Sequence, residues 1–245
     1  MGLPRDKKLV KKSQEHTCYL KAAELLAHET ASLQHMATAP WPPNLSWWKG
    51  TLLAASRQAK NAGTLDAHVW FEARDPRSGA QEPPFFIELG AKIVVSTNPI
   101  VTYFFAVGTS AGQDSSRRGL RKFHFDLDVI PSASEPKPAM HMQLAGRTPA
   151  CLARHYAENA FDHLHPQLDK PRLPCLPKSF ALLAHLALLE YHVTDDRLSA
   201  FLHDPHWISV VKASELALLR PHFEYCRAWL SRAENRSLLS QFYGL

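Results

Sequence analysis

Residues 122–146, KFHFDLDVIPSASEPKPAMHMQLAG, decide how this chain is read. Apolar and polar residues alternate with a period of two on either side of a Pro/Ser/Glu-rich connector, the pattern of two strands joined by a loop. Phe123, Phe125, Leu127 and Val129 share one side of the first strand, so His124, Asp126 and Asp128 share the other. On the second strand Met140, Met142 and Leu144 face together, leaving His141 and Gln143 opposite. An antiparallel hairpin with Val129 across from Met140 sets Asp128 against His141 and Asp126 against Gln143. Two carboxylates, two imidazoles and an amide then occupy one polar surface.

The sequence upstream supplies partners for these strands. From Thr64 the pattern alternates, with Ala67, Val69, Phe71 and Ala73 on one side and His68, Trp70, Glu72 and Arg74 on the other. After the turn DPRSGAQEPP, Phe85, Ile87, Leu89, Ala91, Ile93 and Val95 make a continuous apolar face. Ile100 to Val107 is rich in β-branched and aromatic residues, which predicts a central strand. The expected sheet is an antiparallel meander of about five strands, apolar and helix-covered on one face and polar on the other.

Both ends read as helical. Cys18, Ala22, Leu25, Leu26, Leu33 and Met36 recur at helical spacing within Lys7 to Met36, and the first turns carry Arg5, Lys7, Lys8, Lys11 and Lys12. The prolines of APWPPN end that helix. Asn44 or Ser46 is expected to cap a second, which Gly63 stops. Trp47 and Trp48 are adjacent and so face different ways. Beyond Gly146, Thr148-Pro149 predicts a helix toward His165, HPQLDKPRLPCLPK a connector, and Phe180 to His192 a helix buried all round. Shorter helices are expected from Thr194 and from Asp204-Pro205, with a stop or kink at Pro221. The fold class is α+β, organised as an N-terminal helical segment (1–63), an antiparallel sheet (64–146) and a C-terminal helical region (147–245), together one composite domain.

A chain of 245 residues, 45% hydrophobic and 21% charged, has the composition of a soluble globular protein. Its net charge of +5 permits an acidic partner. Cys18, Cys151, Cys175 and Cys226 form no C-x-x-C pair, which argues against a zinc knuckle or a dense disulfide framework. No secretory signal or membrane-length apolar run is present, so a cytoplasmic location is expected. Neither a P-loop, a G-x-G-x-x-G, an H-E-x-x-H nor a G-x-S-x-G elbow occurs.

Residues two apart on a strand lie roughly 6.5–7 Å apart on one face, so their side chains reach a common point. His124, Asp126, Asp128 and His141, with Glu88 as a fifth group, are therefore candidate ligands for a divalent metal, whose bound water would attack a phosphodiester. The same residues without metal suit general acid/base work: Asp128 beside His141 is expected to raise the imidazole pKa and fix its tautomer, leaving His124 as the partner base or acid. A polar sheet face whose charges merely pair across strands is the competing explanation. Directly before this strand, Arg117, Arg118, Arg121 and Lys122 form a basic turn that suits a phosphate backbone, and Arg172 in KPRLP joins them if its connector crosses the same face.

The order HFDLD, HMQLAG and then PRLP before an apolar helix resembles a pattern in uncharacterised bacterial proteins, some encoded among toxin-antitoxin or phage-defence genes. The resemblance covers about the second half of the chain. It marks His124, Asp126, His141 and Arg172 as shared positions and implies a nucleic-acid-related role within a multiprotein system. The expected function is engagement of nucleic acid with hydrolysis on the polar sheet face. The alternative is a non-catalytic subunit or adaptor that docks on a protein partner through Trp47, Trp48 and Trp70.

Overall fold

The computed structural model describes residues 21–73, 85–97, 99–110, 117–127, 140–143, 156–161, 173–176, 178–191 and 196–230. Five strands run antiparallel in sequence order: β1 (Thr64–Ala73), β2 (Phe85–Val94), β3 (Ile100–Ser110), β4 (Arg117–Leu127) and β5 (Met140–Gln143). Their alternation works as read. Leu65, Ala67, Val69, Ile87, Leu89, Ile93, Val101 and Tyr103 are buried on the side that meets the helices. β3, the most apolar strand, lies between β2 and β4.

Helix α1 (Ala22–Ala37) packs on α2 (Trp48–Ala62), and both lie against the sheet, as does α3 (Phe180–Tyr191). After α4 (Asp196–Leu202), the long α5 (Pro205–Leu230) forms an outer layer on α1 and α3. Gly63 closes α2 in the left-handed region at φ 66°, where a side chain would be strained. Asp204 caps α5 by accepting from the Trp207 backbone N–H at 3.0 Å. Trp41 joins the layers, its ring 4.9 Å from Trp48, 4.6 Å from Phe201 and 5.1 Å from Trp207. Trp48 is fully buried and donates from its indole N–H to the Trp70 carbonyl at 2.9 Å, while Trp47 is 38% exposed.

Several elements differ from the sequence expectation. Tyr156–Phe161, within the helix expected from Thr148, is a strand, β6, which pairs parallel with β4. Leu173–Pro174 adds β7 to the outer edge of β5. The C-terminal region is therefore not wholly helical: open sheet edges recruited two short segments that local pattern did not mark. No side chain caps α2, because Ser46 ends a short 3-10 turn (Pro43–Leu45) and donates instead to the Pro43 carbonyl at 2.8 Å. Helix α3 is not buried all round, since Leu186, Leu189 and Glu190 are exposed. Pro221 lies inside α5 without ending it. The basic segment Arg5–Lys12 lies outside the described residues, and no described helix is long and apolar enough to cross a membrane.

Candidate functional site

The sheet face turned away from the helices carries Glu88 and Gly90 of β2, Thr102, Phe104 and Ala106 of β3, Lys122, His124 and Asp126 of β4, and His141 and Gln143 of β5. It is covered at its centre. Glu88, Lys122, His124 and His141 are all buried, Lys122 and His141 at 1% exposure and His124 at 6%. Charged side chains are rarely buried this deeply unless a partner or a task holds them there.

The two carboxylates and two imidazoles do not pair as expected. β4 and β5 align with Leu127 opposite Met140, Asp126 opposite His141 and His124 opposite Gln143, two residues from the expected register. Because the slip is even, every side chain keeps its face, and Asp126 takes the place expected of Asp128. Asp128 itself lies outside the described residues, as does Arg172. Thr102 Oγ1 donates to Asp126 Oδ1 at 2.7 Å, and Gln143 Nε2 donates to Oδ2 at 2.9 Å. His141 Nε2 stands 3.8 Å from the same Oδ2, too long for a hydrogen bond but within ion-pair range. Both oxygens are thus held by neutral donors from neighbouring strands, which fixes the carboxylate plane against the imidazole.

His124 has the opposite environment. Desolvation, and then the charge of Lys122 two residues away, push its pKa down to about 3. It is a neutral imidazole at ordinary pH, and its Nε2 is buried without a hydrogen-bond partner. An orphaned ring nitrogen in a polar layer is costly, and a bound ligand would satisfy it. Thr102, Asp126 and Gln143 are only half-buried, the Asp126 side chain at 19%, so this end is where solvent reaches the layer.

The metal reading loses ground locally. Among the described residues no three His, Cys, Asp or Glu side chains are arranged to hold a metal ion. Lys122, buried beside His124, also opposes a second cation. Glu88 is not a fifth ligand of the group: it sits two strands from β4 and meets His68 Nε2 at 3.0 Å. Gly90 lets the Phe104 ring lie across β2, and His68 stacks on that ring at 6.0 Å. Arg117, Arg118 and Arg121 fall on β4 rather than in a turn, and Lys122 faces the covered layer rather than solvent.

Three groups were not singled out from the sequence. Thr102 is the one aliphatic hydroxyl in the β3 run from Ile100 to Val107, a mark that pointed to a specific partner. Cys175 lies close enough for Asp126 to affect it, but burial holds its thiol up at about 11, so it is not a ready nucleophile. On the helix side, buried Glu29 of α1 accepts from Tyr103 Oη at 2.9 Å and from the Phe180 backbone N–H at 3.3 Å. Its position was legible, since Glu29 interrupts the apolar stripe between Leu25 and Leu33. His185 is half-buried and accepts at Nδ1 from Trp207 Nε1 at 3.1 Å. Comparison with protein-family models, with curated proteins and with solved structures finds no match.

Proposed function

We propose that this protein engages nucleic acid and cleaves a phosphodiester by general acid/base chemistry on the covered sheet face. The observation that carries this reading is the unequal pair of imidazoles: His124 neutral with an unbound Nε2, and His141 facing a fixed carboxylate. With its proton on Nδ1, His124 takes a proton at Nε2 from the attacking hydroxyl, which in RNA is the 2′-hydroxyl of the ribose. The 2′-oxygen forms a bond to phosphorus, the bond from phosphorus to the 5′-oxygen breaks, and that oxygen takes a proton from His141. Asp126 orients His141 and stabilises its cationic form, and Lys122 opposes the charge that develops on the phosphoryl oxygens. A phosphate against Lys122 also offsets the smaller of the two influences that weaken His124 as a base.

Substrate enters from the Thr102–Asp126–Gln143 end, where the layer is part-exposed. The experiment is cleavage of an oligoribonucleotide in the presence of EDTA by the wild-type chain and by the His124→Ala/Asp126→Ala double variant. Cleavage by the wild type that the double variant loses, while it still binds the strand, is the expected result. Cleavage that needs added divalent metal would transfer the chemistry to a metal-bound water and overturn the acid/base form. Absence of binding would leave the adaptor reading, in which a protein partner occupies the exposed aromatics.

A further inference from the structure

We infer that the outer face of α5 is a self-association surface, on which a second copy of this chain packs its own α5 antiparallel about a two-fold axis level with residue 222. Leu216 and Phe223, each 55% exposed, are the most exposed large hydrophobic residues among those described. Seven residues separate them, nearly two turns, so they share one side of the helix roughly 10 Å apart. The other side of α5 is already occupied: Val210, Val211, Ser214, Leu218 and His222 are buried, and the helix lies on α1 and α3. Ala213 and Ala217 are exposed beside Leu216, and their short side chains let a second backbone come close.

The charges next to Phe223 select the occupant. Arg220 and Glu224 are both exposed, one turn apart on the same flank of the helix. Among the described residues neither is in an ion pair, and arginine before glutamate is the weaker order for a pair within one helix. When two copies of one helix run antiparallel, the same flank of each meets the other. An axis at residue 222 then sets Arg220 against Glu224 of the second copy, and Glu224 against its Arg220, while the two Phe223 rings meet beside the axis. A parallel pair would bring like charges together, and a partner of one sign would repel one of the two residues. The contact is the same patch on both copies, so it closes at two and does not propagate. One helix from each copy falls short of the roughly 1,200–2,000 Å² of a standard interface, so the pair forms and dissociates with concentration. α5 stands on the helix side of the sheet, so pairing leaves the polar layer free, and the inference is independent of the nucleic-acid reading.

The test is sedimentation equilibrium of the full chain over about a hundredfold range of concentration. Wild type should rise from the mass of one chain toward that of two, and Phe223→Asp should weaken association by about tenfold or more. Arg220→Glu and Glu224→Arg should each weaken it when alone, because the first chain carries two acids at the contact and the second two bases. An equal mixture of these two variants should associate, as should the double variant, since opposite charges face again. These side chains are at the surface, so urea unfolding of each variant should match wild type. A wild type that stays one chain throughout, or a mixture that associates no better than either variant alone, would overturn the inference.

Discussion

Asp126 on β4 lies directly opposite His141 on β5, with one carboxylate oxygen taken by Thr102 and the other by Gln143. The carboxylate is therefore a positioned charge rather than a mobile one. Asp126→Asn keeps the shape and removes the charge, and a lost general-acid contribution corresponds to a rate falling by about 10²-fold or more. The basic limb of the pH–rate profile should move to lower pH, because the carboxylate charge 3.8 Å from His141 Nε2 no longer favours its protonated form. Thr102→Val removes one hydrogen bond to the carboxylate and should cost about 1–2 kcal/mol of stability, with a smaller loss of rate. Rates across pH, with urea unfolding of each variant, check both.

His124 makes stability depend on acid. In the unfolded chain it binds a proton near 6.5, but in the fold not until about 3, so between those values the unfolded state holds more protons. Stability should fall as pH drops through this window, by a few kcal/mol at most. His124→Gln, which cannot titrate, should show a shallower acid loss in urea unfolding. An unchanged acid slope would mean that the imidazole is not held neutral.

Glu29 acts with the opposite sign. Burial lifts its carboxyl to about 7 from an ordinary 4.5, against the smaller opposing effects of the Tyr103 hydroxyl and the Phe180 N–H. Between those values the folded chain holds the extra proton, so this contribution is complete below pH 4.5 and is lost as pH rises through 7. Glu29→Gln should flatten that slope and be more stable than wild type at pH 8, by about 1–3 kcal/mol. Tyr103→Phe should destabilise most at high pH, where it removes a donor from a charged acceptor. Unfolding free energies at several pH values decide the sign.

Gly90 and Phe104 test the packing of the polar face. A Cβ at Gly90 would lie 2.0 Å from the Phe104 ring and 2.9 Å from the Ala67 carbonyl. Gly90→Ala should therefore cost about 1–3 kcal/mol, mostly by displacing the ring. In a Phe104→Leu background the cost should shrink, and a double-mutant cycle reads the coupling.

The sheet was legible because alternation declares which residues share a face, and that held for β1 to β5. Register was not, because alternation repeats every two residues: a slip of Val129 to Leu127 opposite Met140 leaves all faces intact and changes every pair. His124, Asp126, His141 and Gln143 thus share one face with Asp126 opposite His141, while Asp128 lies outside the described residues. β6 escaped because its partner edge on β4 is far away in sequence, and YAENAF carries no strong strand signal of its own. Burial of Glu88, Lys122, His124 and His141 was equally invisible, since alternation does not distinguish a solvated polar face from an enclosed one. Lys122 illustrates the consequence: read within a basic turn, it is enclosed beside His124.

Single-turnover cleavage of an oligoribonucleotide under EDTA, by wild type and His141→Ala, reaches the centre of this account. Wild type should cut and leave a cyclic 2′,3′-phosphate, with an acid limb of its pH profile well below the ordinary imidazole range, and His141→Ala should bind the strand without cutting it. A wild-type chain that binds RNA and leaves it whole, or a His141→Ala chain that cuts as fast as wild type, would contradict acid/base chemistry at this face.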